Sequence, residues 1–152
     1  MESGRVAGIY IKPAPHEMPT SAQEVRAIAG QGLEGDPYVE QGLGGKPGTG
    51  QQLTLIAREE IEKFNADGHE LSAGESRRQI ETEGIDLNAL VGKRFQVGEV
   101  EALGIRLCQP CIPLQTMTGL PVMKGLRDRG GLRADVVSSG LIQVGDEVVA
   151  LD

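Results

Sequence analysis

Glycine restricts the folds open to this chain more than any other residue type. It makes up 22 of the 152 residues and concentrates in three runs, at residues 30–35, 42–50 and 125–131. Glycine adopts positive φ angles at no steric cost and lets backbone segments approach closely, so these runs predict loops and tight turns. A chain divided in this way favours short elements over long ones.

Short β-type segments lie between the glycine runs. They mix β-branched residues with polar ones, which is typical of half-buried strands. Gly98 and Glu99 separate two of these segments as a tight hairpin would. The predicted strands cover residues 6–11, 25–28, 53–56, 95–97, 100–107, 134–137 and 147–151.

Helical patterns are fewer. Ala57, Ile61 and Phe64 follow a helical spacing that Gly68 ends, and Asp86 is placed to cap a short turn over residues 87–91. Two weaker helical segments cover residues 114–117 and 122–126. Many strands with few helices predict a β-rich α+β fold, a twisted β pseudo-barrel with a few short helices.

Composition excludes several classes of function. The length fits one domain over residues 1–152, and the net charge of −7 provides no general attraction to nucleic acid or anionic lipid. Single-strand binding is further disfavoured because stacking surfaces are scarce. No apolar run resembles a signal peptide or a membrane span, so we expect a cytoplasmic protein. The aromatic residues are Tyr10, Tyr38, Phe64 and Phe95.

The two cysteines, Cys108 and Cys111, allow three functional interpretations. A zinc half-site would need two more ligands, and the histidines His16 and His69 lack ligand spacing. A dithiol redox switch fits the Cys-Gln-Pro-Cys spacing, but the flanking strand–helix–strand pattern of thioredoxins is missing. The third interpretation is one reactive cysteine that carries sulfur or ligates a metal. We predict that role for Cys111 and a buried, packing role for Cys108.

Arginines accompany the cysteines in the sequence. Arg106, Arg127, Arg129 and Arg133 are candidates to stabilise a thiolate, since a nearby cation favours the charged form of a thiol. Residues 125–134 combine glycine backbone N–H groups with three of these guanidinium forks, and residues 76–80 contain a further Arg-Arg pair. In an acidic chain, such clusters indicate a local site for an anion.

In their order along the chain, these segments resemble those of stand-alone MOSC domains, modules related to the C-terminal part of molybdenum cofactor sulfurase. The resemblance extends from about residue 28 to residue 148. Its segments are GLEGDPY at 32–38, QQLTLI at 51–56, RRQI at 77–80, TEGIDL at 82–87, LVGKRF at 90–95, the cysteine pair at 108–111, RGGLRA at 129–134 and GD at 145–146.

The resemblance implies a β pseudo-barrel of the MOSC or PK β-barrel-like type. It also implies molybdenum cofactor (molybdopterin), an anionic pterin dithiolene phosphate, or sulfur carried as a cysteine persulfide. Pyridoxal phosphate binding is associated with the family as a whole. In the related amidoxime-reducing enzymes, the metal-ligating cysteine corresponds to Cys111. By the same resemblance, Arg77 and Gln79 would lie against the cofactor and Gln51 near it.

Three positions depart from the family pattern. Pro37 and Gln51 stand where the family usually has arginine, and Gln79 stands where it usually has asparagine. Two fewer cations imply a weaker attraction for a phosphate.

These observations lead to one leading hypothesis and two rivals. The leading one is a module that binds molybdenum cofactor or carries sulfur, with Cys111 as metal ligand or persulfide site and a pterin or a sulfur donor and acceptor protein as partner. One rival is a small molybdenum-dependent reductase of N-hydroxylated compounds, and the other is a degenerate module that has lost the cofactor. The residues predicted to contact the cofactor are Asp36, Gln51, Arg77, Gln79, Arg129, Gly130, Gly131 and Arg133.

Overall fold

A computed structural model describes residues 3–12, 14, 17–40, 42 and 45–151. Its strands are β1 (Ser3–Ile11), β2 (Thr20–Ala22), β3 (Glu24–Ile28), β4 (Gly32–Leu33), β5 (Leu53–Ala57), β6 (Ile80–Glu83), β7 (Arg94–Val97), β8 (Val100–Leu107), β9 (Leu132–Val136), β10 (Gly140–Gln143) and β11 (Glu147–Ala150). Its helices are α1 (Pro37–Glu40), α2 (Arg58–Ala66), α3 (Ile112–Thr118) and α4 (Val122–Gly125), with a 3-10 turn at Leu87–Leu90.

Seven of these strands form a closed barrel. The order around it is β1, β6, β5, β9, β8, β7 and β11, and β11 pairs back with β1 to close the ring. Only the pair of β5 and β6 is parallel; the other pairs in the ring are antiparallel. Closure leaves no free sheet edge in the ring itself. The expected β-rich pseudo-barrel is confirmed.

The barrel interior is filled by aliphatic side chains from alternate strand positions. On β9, Leu132, Ala134 and Val136 point inward, whereas Arg133 and Asp135 point outward. A small sheet of β10, β3 and β4 contributes further apolar residues to the same core. Of the two outward residues, Arg133 is partly exposed, whereas Asp135 is buried beneath other parts of the chain.

A second apolar cluster lies outside the barrel and holds the helices. Phe64 of α2, Leu114 of α3 and Val122 of α4 are buried together against Ile56 of β5. The expected α2 and its buried Ile61 and Phe64 are confirmed. This cluster fixes α3, and with it the residue that precedes α3.

The strands predicted from the sequence are all present, with ends shifted by up to three residues. The hairpin at Gly98 is confirmed, since Val97 pairs with Val100, and Asp86 caps the 3-10 turn through the N–H of Asn88 at 3.1 Å. The sequence analysis missed β2, β4, β10 and α1, which are two to four residues long. His16 and part of the glycine run at 42–50 lie outside the described residues. In the part of the chain that is described, no helix is long and apolar enough to cross a bilayer.

Candidate functional site

Cys111 lies between β8 and α3 with its side chain exposed. Its backbone is extended, and its carbonyl accepts the N–H of Gln115 at 3.1 Å, which starts the helix. Pro113 suits this first turn because proline at the start of a helix sacrifices no hydrogen bond. The buried Leu114 anchors the turn in the second apolar cluster, so the thiol stands at a fixed helix start.

Cys108 occupies a different environment, with only 1% of its surface exposed. Its N–H donates to the carbonyl of Gly131 at 2.7 Å and continues the pairing of β8 with β9. The predicted packing role of Cys108 is therefore confirmed. Of the two thiols, Cys111 is the one that an external molecule reaches.

Arg78 is the residue that ties this region together. It is 7% exposed, and its guanidinium donates to the carbonyls of Gly130 at 2.9 Å, Ser76 at 3.2 Å, and Cys108 and Gln109 at 3.2 Å each. No carboxylate among the described residues pairs with it. A buried guanidinium bonded only to carbonyls leaves a net positive charge beneath the cysteine segment.

Both thiols and a second arginine, Arg133, affect the pKa of Arg78. Burial lowers the pKa of Arg78 from its ordinary value; the charge of Arg133 lowers that pKa further, and the Cys108 and Cys111 thiols oppose the shift. Arginine nevertheless stays protonated at neutral pH. Arg133 and both thiols therefore lie within electrostatic range of the Arg78 guanidinium.

Arg133 also faces Arg106 across the pairing of β9 with β8. Neither guanidinium has a hydrogen-bond or ion-pair partner among the described residues. Like charges directly opposite each other on paired strands are destabilising. A bound anion would relieve this repulsion, and the free guanidinium forks are suited to binding one.

Gln79, predicted to contact a cofactor, instead uses its amide within the protein. Its Oε1 accepts from the backbone N–H of Thr54 at 3.0 Å, and its Nε2 donates to Oδ2 of Asp36 at 2.9 Å. Asp36, another predicted contact, is thereby held beside β5 and β6. Both residues lie near the start of β6, next to Arg78, as parts of one hydrogen-bonded unit.

Gly130 and Gly131 are required by packing. A Cβ at Gly130 would contact the carbonyl oxygen of Cys108 and come within 3.0 Å of Pro110. Gly131 has φ of 113°, and a Cβ there would contact the carbonyl oxygen of Leu55. These glycines bring the segment before β9 against the cysteine segment, so that Arg78 bridges the two.

The other predicted contacts lie in separate environments. Arg77, at φ of 62°, donates to the carbonyl of Glu17 at 3.0 Å. Gln51 is exposed just before β5. Arg129 pairs with Glu60 at 3.3 Å and donates to the carbonyl of Gly125. The structure thus brings Cys111, Arg133, Gly130 and Gly131 together around Arg78, and it shows no contact of Arg77 or Arg129 with that group.

Sequence reasoning missed the part played by Asp135. Its buried carboxylate accepts the N–H of Gly48 at 2.6 Å and of Gly50 at 3.3 Å, and so holds the glycine loop over the outer face of β9. The backbone N–H groups of Gly48 and Gly50 are thus occupied by a side chain of the protein itself. The outward position of Asp135 in the alternation of β9 was the available sequence indication.

Three cavities are bordered by described residues, and Cys111 lines none of these three. The first, of about 320 Å³, is lined by Glu59, Glu60, Asp86, Arg129 and Gly131, among others. The second, of about 560 Å³, adjoins Arg5 and Glu83, and the third, of about 340 Å³, adjoins Arg26. Within the described part of the chain, no group of three or more His, Cys, Asp or Glu side chains is arranged to hold a metal ion. A metal at Cys111 would therefore need ligands supplied by its own cofactor.

The arrangement suits a thiolate and an anion held side by side. An exposed sulfur can bond to a soft metal or to an electrophilic sulfur atom, and the unpaired arginines can bind a phosphate. No titrating acid or base touches Cys111 among the described contacts.

Comparisons with known proteins agree with this fold. The YuaD protein of Bacillus subtilis superposes with a TM-score of 0.79 at 18% identity, covering 97% of each chain. YiiM of Geobacillus stearothermophilus superposes with a TM-score of 0.74 at 16% identity, covering 98% of this chain and 75% of the YiiM chain. YiiM of Escherichia coli superposes with a TM-score of 0.66 at 16% identity, covering 100% of this chain and 70% of the YiiM chain. No curated protein sequence matches the chain. The family model of the MOSC domain matches residues 42–149, and the chain belongs to the MOSC domain family.

Proposed function

We propose that this MOSC domain binds molybdenum cofactor beside α3, with Cys111 as the thiolate ligand of the metal. The observation that carries the proposal is the position of the exposed Cys111 in the field of Arg78, a buried guanidinium bonded only to carbonyls. The MOSC family is associated with molybdenum cofactor binding.

The residues present fit that group. A soft thiolate suits a molybdenum centre, and the dithiolene sulfurs of the pterin would supply the remaining soft ligands. The guanidinium of Arg133 is available to bind the phosphate. The N–H groups of Arg78 already donate to backbone carbonyls, so Arg78 would contribute only its positive charge. Arg106, opposite Arg133, adds a second free fork.

The departures from the family pattern are compatible with this site. Gln79 is held by Thr54 and Asp36 and orders the start of β6, and Pro37 begins α1. In the proposed site, Arg78, Arg133 and Arg106 would supply the positive charge that attracts the cofactor. When bound, the cofactor would supply redox chemistry at the metal, and the protein would hold the phosphate and the ligating sulfur.

A sulfur carrier is the second candidate, favoured by the exposure of Cys111 in a segment without charged side chains. The Cys111 thiolate would attack the outer sulfur of a donor persulfide, R–S–SH. The donor S–S bond breaks as the Cys111 S–SH bond forms, and the donor leaves as a thiolate, so no external oxidant or reductant is needed. Attack by an acceptor nucleophile on the same outer sulfur would restore the Cys111 thiolate.

Analysis of the purified protein separates these candidates. The protein is produced in a molybdenum-replete host able to make the cofactor, as wild type, Cys111→Ser and Cys108→Ser. Molybdenum is measured by mass spectrometry, pterin by fluorescence after oxidation, and sulfane sulfur by cyanolysis. Molybdenum and pterin near one per chain, lost in Cys111→Ser and kept in Cys108→Ser, would support the cofactor site.

The other outcomes are equally informative. Sulfane sulfur that depends on Cys111, without molybdenum, would replace cofactor binding by the carrier function. Retention of molybdenum in Cys111→Ser would overturn the ligand role. Absence of molybdenum, pterin and sulfane sulfur from the purified protein would indicate a degenerate module. Turnover of an amidoxime by the loaded protein with a supplied electron donor would extend the function to a reductase.

A further inference from the structure

The segment that carries Cys111 contains no charged side chain over 17 residues. Residues 107–123 have no Asp, Glu, Lys, Arg or His, although such side chains are frequent in the rest of the chain. Arg106 precedes this charge-free segment and Lys124 follows it. The segment contains α3 and the first two residues of α4, and its residues alternate between buried and exposed positions.

Much of this segment is exposed despite its apolar character. Ile112 is 68% exposed, the highest value among the large hydrophobic residues described, and Met117 is 52% exposed. Ile112, Pro113, Thr116 and Met117 are all exposed and, at 100° per residue, lie within about 140° of one another around α3. One side of α3 therefore presents an uncharged face with no partner in the described structure.

Met123 adds a further exposed apolar side chain at the start of α4. It is 38% exposed, and its N–H donates to Oε1 of Gln115 at 3.1 Å, so α4 begins against α3. Isolated exposed apolar residues are normal, but a contiguous apolar patch on a protein surface marks an interaction site. Methionine side chains adapt readily to a partner surface.

The surrounding charge identifies the kind of partner. Residues 102–134 carry five basic residues and one acidic residue, a net charge of +4, in a chain whose total is −7. Lys124 and Arg127 are exposed on the side of α4, and Arg106 is exposed at the end of β8. The segment that carries the apolar face is thus flanked by exposed cations, in a chain that is acidic overall.

We propose that this face, made of Ile112, Pro113, Thr116, Met117 and Met123, is the docking surface for an acidic protein that exchanges its cargo with Cys111. The partner has an apolar contact area surrounded by carboxylates, which pair with Arg106, Lys124 and Arg127. Complementary charge steers such a partner to the thiol and sets its orientation. The exchange rests on the proposed function, since it requires cargo at Cys111; docking itself does not.

Two other occupants fit less well. A second copy paired symmetrically would place the same cations against each other. A membrane of anionic lipid would attract the patch but repel the rest of a chain with net charge −7. The face also lacks the aromatic side chains that favour the membrane interface.

Site-specific crosslinking in the source organism tests the proposal. The probe is p-benzoyl-phenylalanine in place of Met117, with the same probe in place of Val137, which is 40% exposed beyond the far end of β9, as the control. Proteins captured from position 117 but not from position 137 are identified, purified and titrated with this protein. We expect an acidic protein whose binding weakens as salt is raised.

Substitutions separate the contributions of charge and apolar contact. Met117→Glu should weaken binding about tenfold or more, and Met117→Lys should weaken it less, because only glutamate repels the partner's carboxylates. Cys111→Ser should bind as the wild type does. No selective capture, capture of a neutral or basic protein, salt-independent binding, or capture of a second copy would each overturn the proposal. Flotation of the protein with vesicles of phosphatidylcholine and phosphatidylglycerol, abolished by Met117→Glu, would also overturn it in favour of a membrane.

Cargo analysis distinguishes failure of docking from failure of the proposed function. If both hold, the Met117→Glu protein retains the molybdenum or sulfane sulfur content of the wild type but does not pass it to the partner. If Cys111 holds no cargo and the acidic partner still binds, the docking surface stands and the exchange function does not.

Discussion

A terminal guanidinium nitrogen of Arg78 donates to the carbonyl oxygen of Cys108 at 3.2 Å, which links a buried cation to the segment that carries the exposed thiol. The same nitrogen also donates to the carbonyl oxygen of Gln109. The Nε of Arg78 donates to the carbonyl oxygen of Gly130, in the segment that precedes β9. Arg78 therefore acts on Cys111 in two ways. It sets the path of the backbone that leads to the thiol, and it supplies positive charge beneath it.

Replacement of Arg78 by methionine should destabilise the protein by about 2–4 kcal/mol. The carbonyls of Ser76, Cys108, Gln109 and Gly130 would lose their donor while staying largely buried, and this cost exceeds the relief from removing an unpaired buried charge. Urea unfolding at neutral pH measures the change in the free energy of unfolding.

Two variants serve as comparisons for Arg78→Met. Arg78→Lys keeps the charge and loses the planar fork, so its free energy of unfolding should lie between those of Arg78→Met and the wild type. Arg77→Met removes a half-buried arginine whose contacts are the carbonyl of Glu17 and the sulfur of Met18, and should cost less than about 1 kcal/mol. If Arg77→Met and Arg78→Met lowered the free energy of unfolding equally, the bridging role of Arg78 would be contradicted.

The two thiols should differ sharply in accessibility. A disulfide reagent such as dithionitrobenzoate should titrate one thiol per chain in the native protein and two in denaturant, because Cys111 is exposed and Cys108 is buried. Cys111→Ser should give none in the native state and one after unfolding. Rapid labelling of both thiols in the folded wild type would show that Cys108 is not sealed by the packing described.

Local pattern was sufficient to predict much of the fold. The mixture of β-branched and polar residues in the strands, the helical spacing of Ile61 and Phe64, and the cap at Asp86 are properties of neighbouring residues, and the elements they predicted are confirmed. The elements missed were two to four residues long, such as β4 (Gly32–Leu33), which has too few residues to show any period. Barrel closure through β1 and β11 joins opposite ends of the chain, and the strand pattern alone did not predict that pairing.

The site was only partly predictable for a related reason. Cys111 stood out by its sequence context, and the assignment of Cys108 to the core followed from its place at the end of an apolar strand. Arg77 and Arg78 are neighbours of the same type, and nothing local distinguishes them. Only the tertiary structure shows that Arg78 enters the interior while Arg77, at positive φ, contacts the segment before β2.

Arg133 and Arg129 should differ in their importance for an anionic ligand. Arg133→Ala should weaken binding of a phosphorylated pterin about tenfold, because its guanidinium is free and faces Arg106. Arg129→Ala should change the affinity less than about twofold, since Arg129 is engaged by Glu60. Fluorescence titration at low salt measures both affinities. A larger loss of affinity in Arg129→Ala than in Arg133→Ala would indicate that the anion binds nearer the cavity beside Glu60.

Gly131→Ala should cost about 2–4 kcal/mol of stability. The added Cβ would contact the carbonyl oxygen of Leu55, and φ of 113° is strained for alanine. Gly30→Ala is the matched control, since Gly30 has φ of 74° but open space around its Cβ position, and should cost only about 1 kcal/mol. Thermal or urea unfolding compares the two. Similar losses would mean that backbone conformation, and not contact with β5, explains the glycine at 131.

Glu83 should make the stability of the barrel depend on pH in the acid range. The hydrogen bond from Arg5 lowers the pKa of Glu83 below its ordinary value of 4.5; burial opposes this shift, and the charges of Arg5 and Arg58 add to it. A carboxyl with a depressed pKa in the folded state contributes stability that is present above its unfolded pKa. That stability is lost as the pH falls through the folded pKa.

The matched test compares the urea midpoints of the wild type and Glu83→Gln across pH. The wild type should be the more stable at neutral pH, and its advantage should shrink as the pH falls below 4.5, where protonated Glu83 resembles glutamine. Glu62→Gln alters an exposed residue of α2 that has no ion-pair partner among the described residues, and it should show little dependence on pH. The ion pairs of Glu83 are screened by salt, so the advantage should also be smaller at high ionic strength. A difference between wild type and Glu83→Gln that stays constant from neutral to acid pH would show that the pairs with Arg5 and Arg58 do not stabilise the junction of β1 and β6.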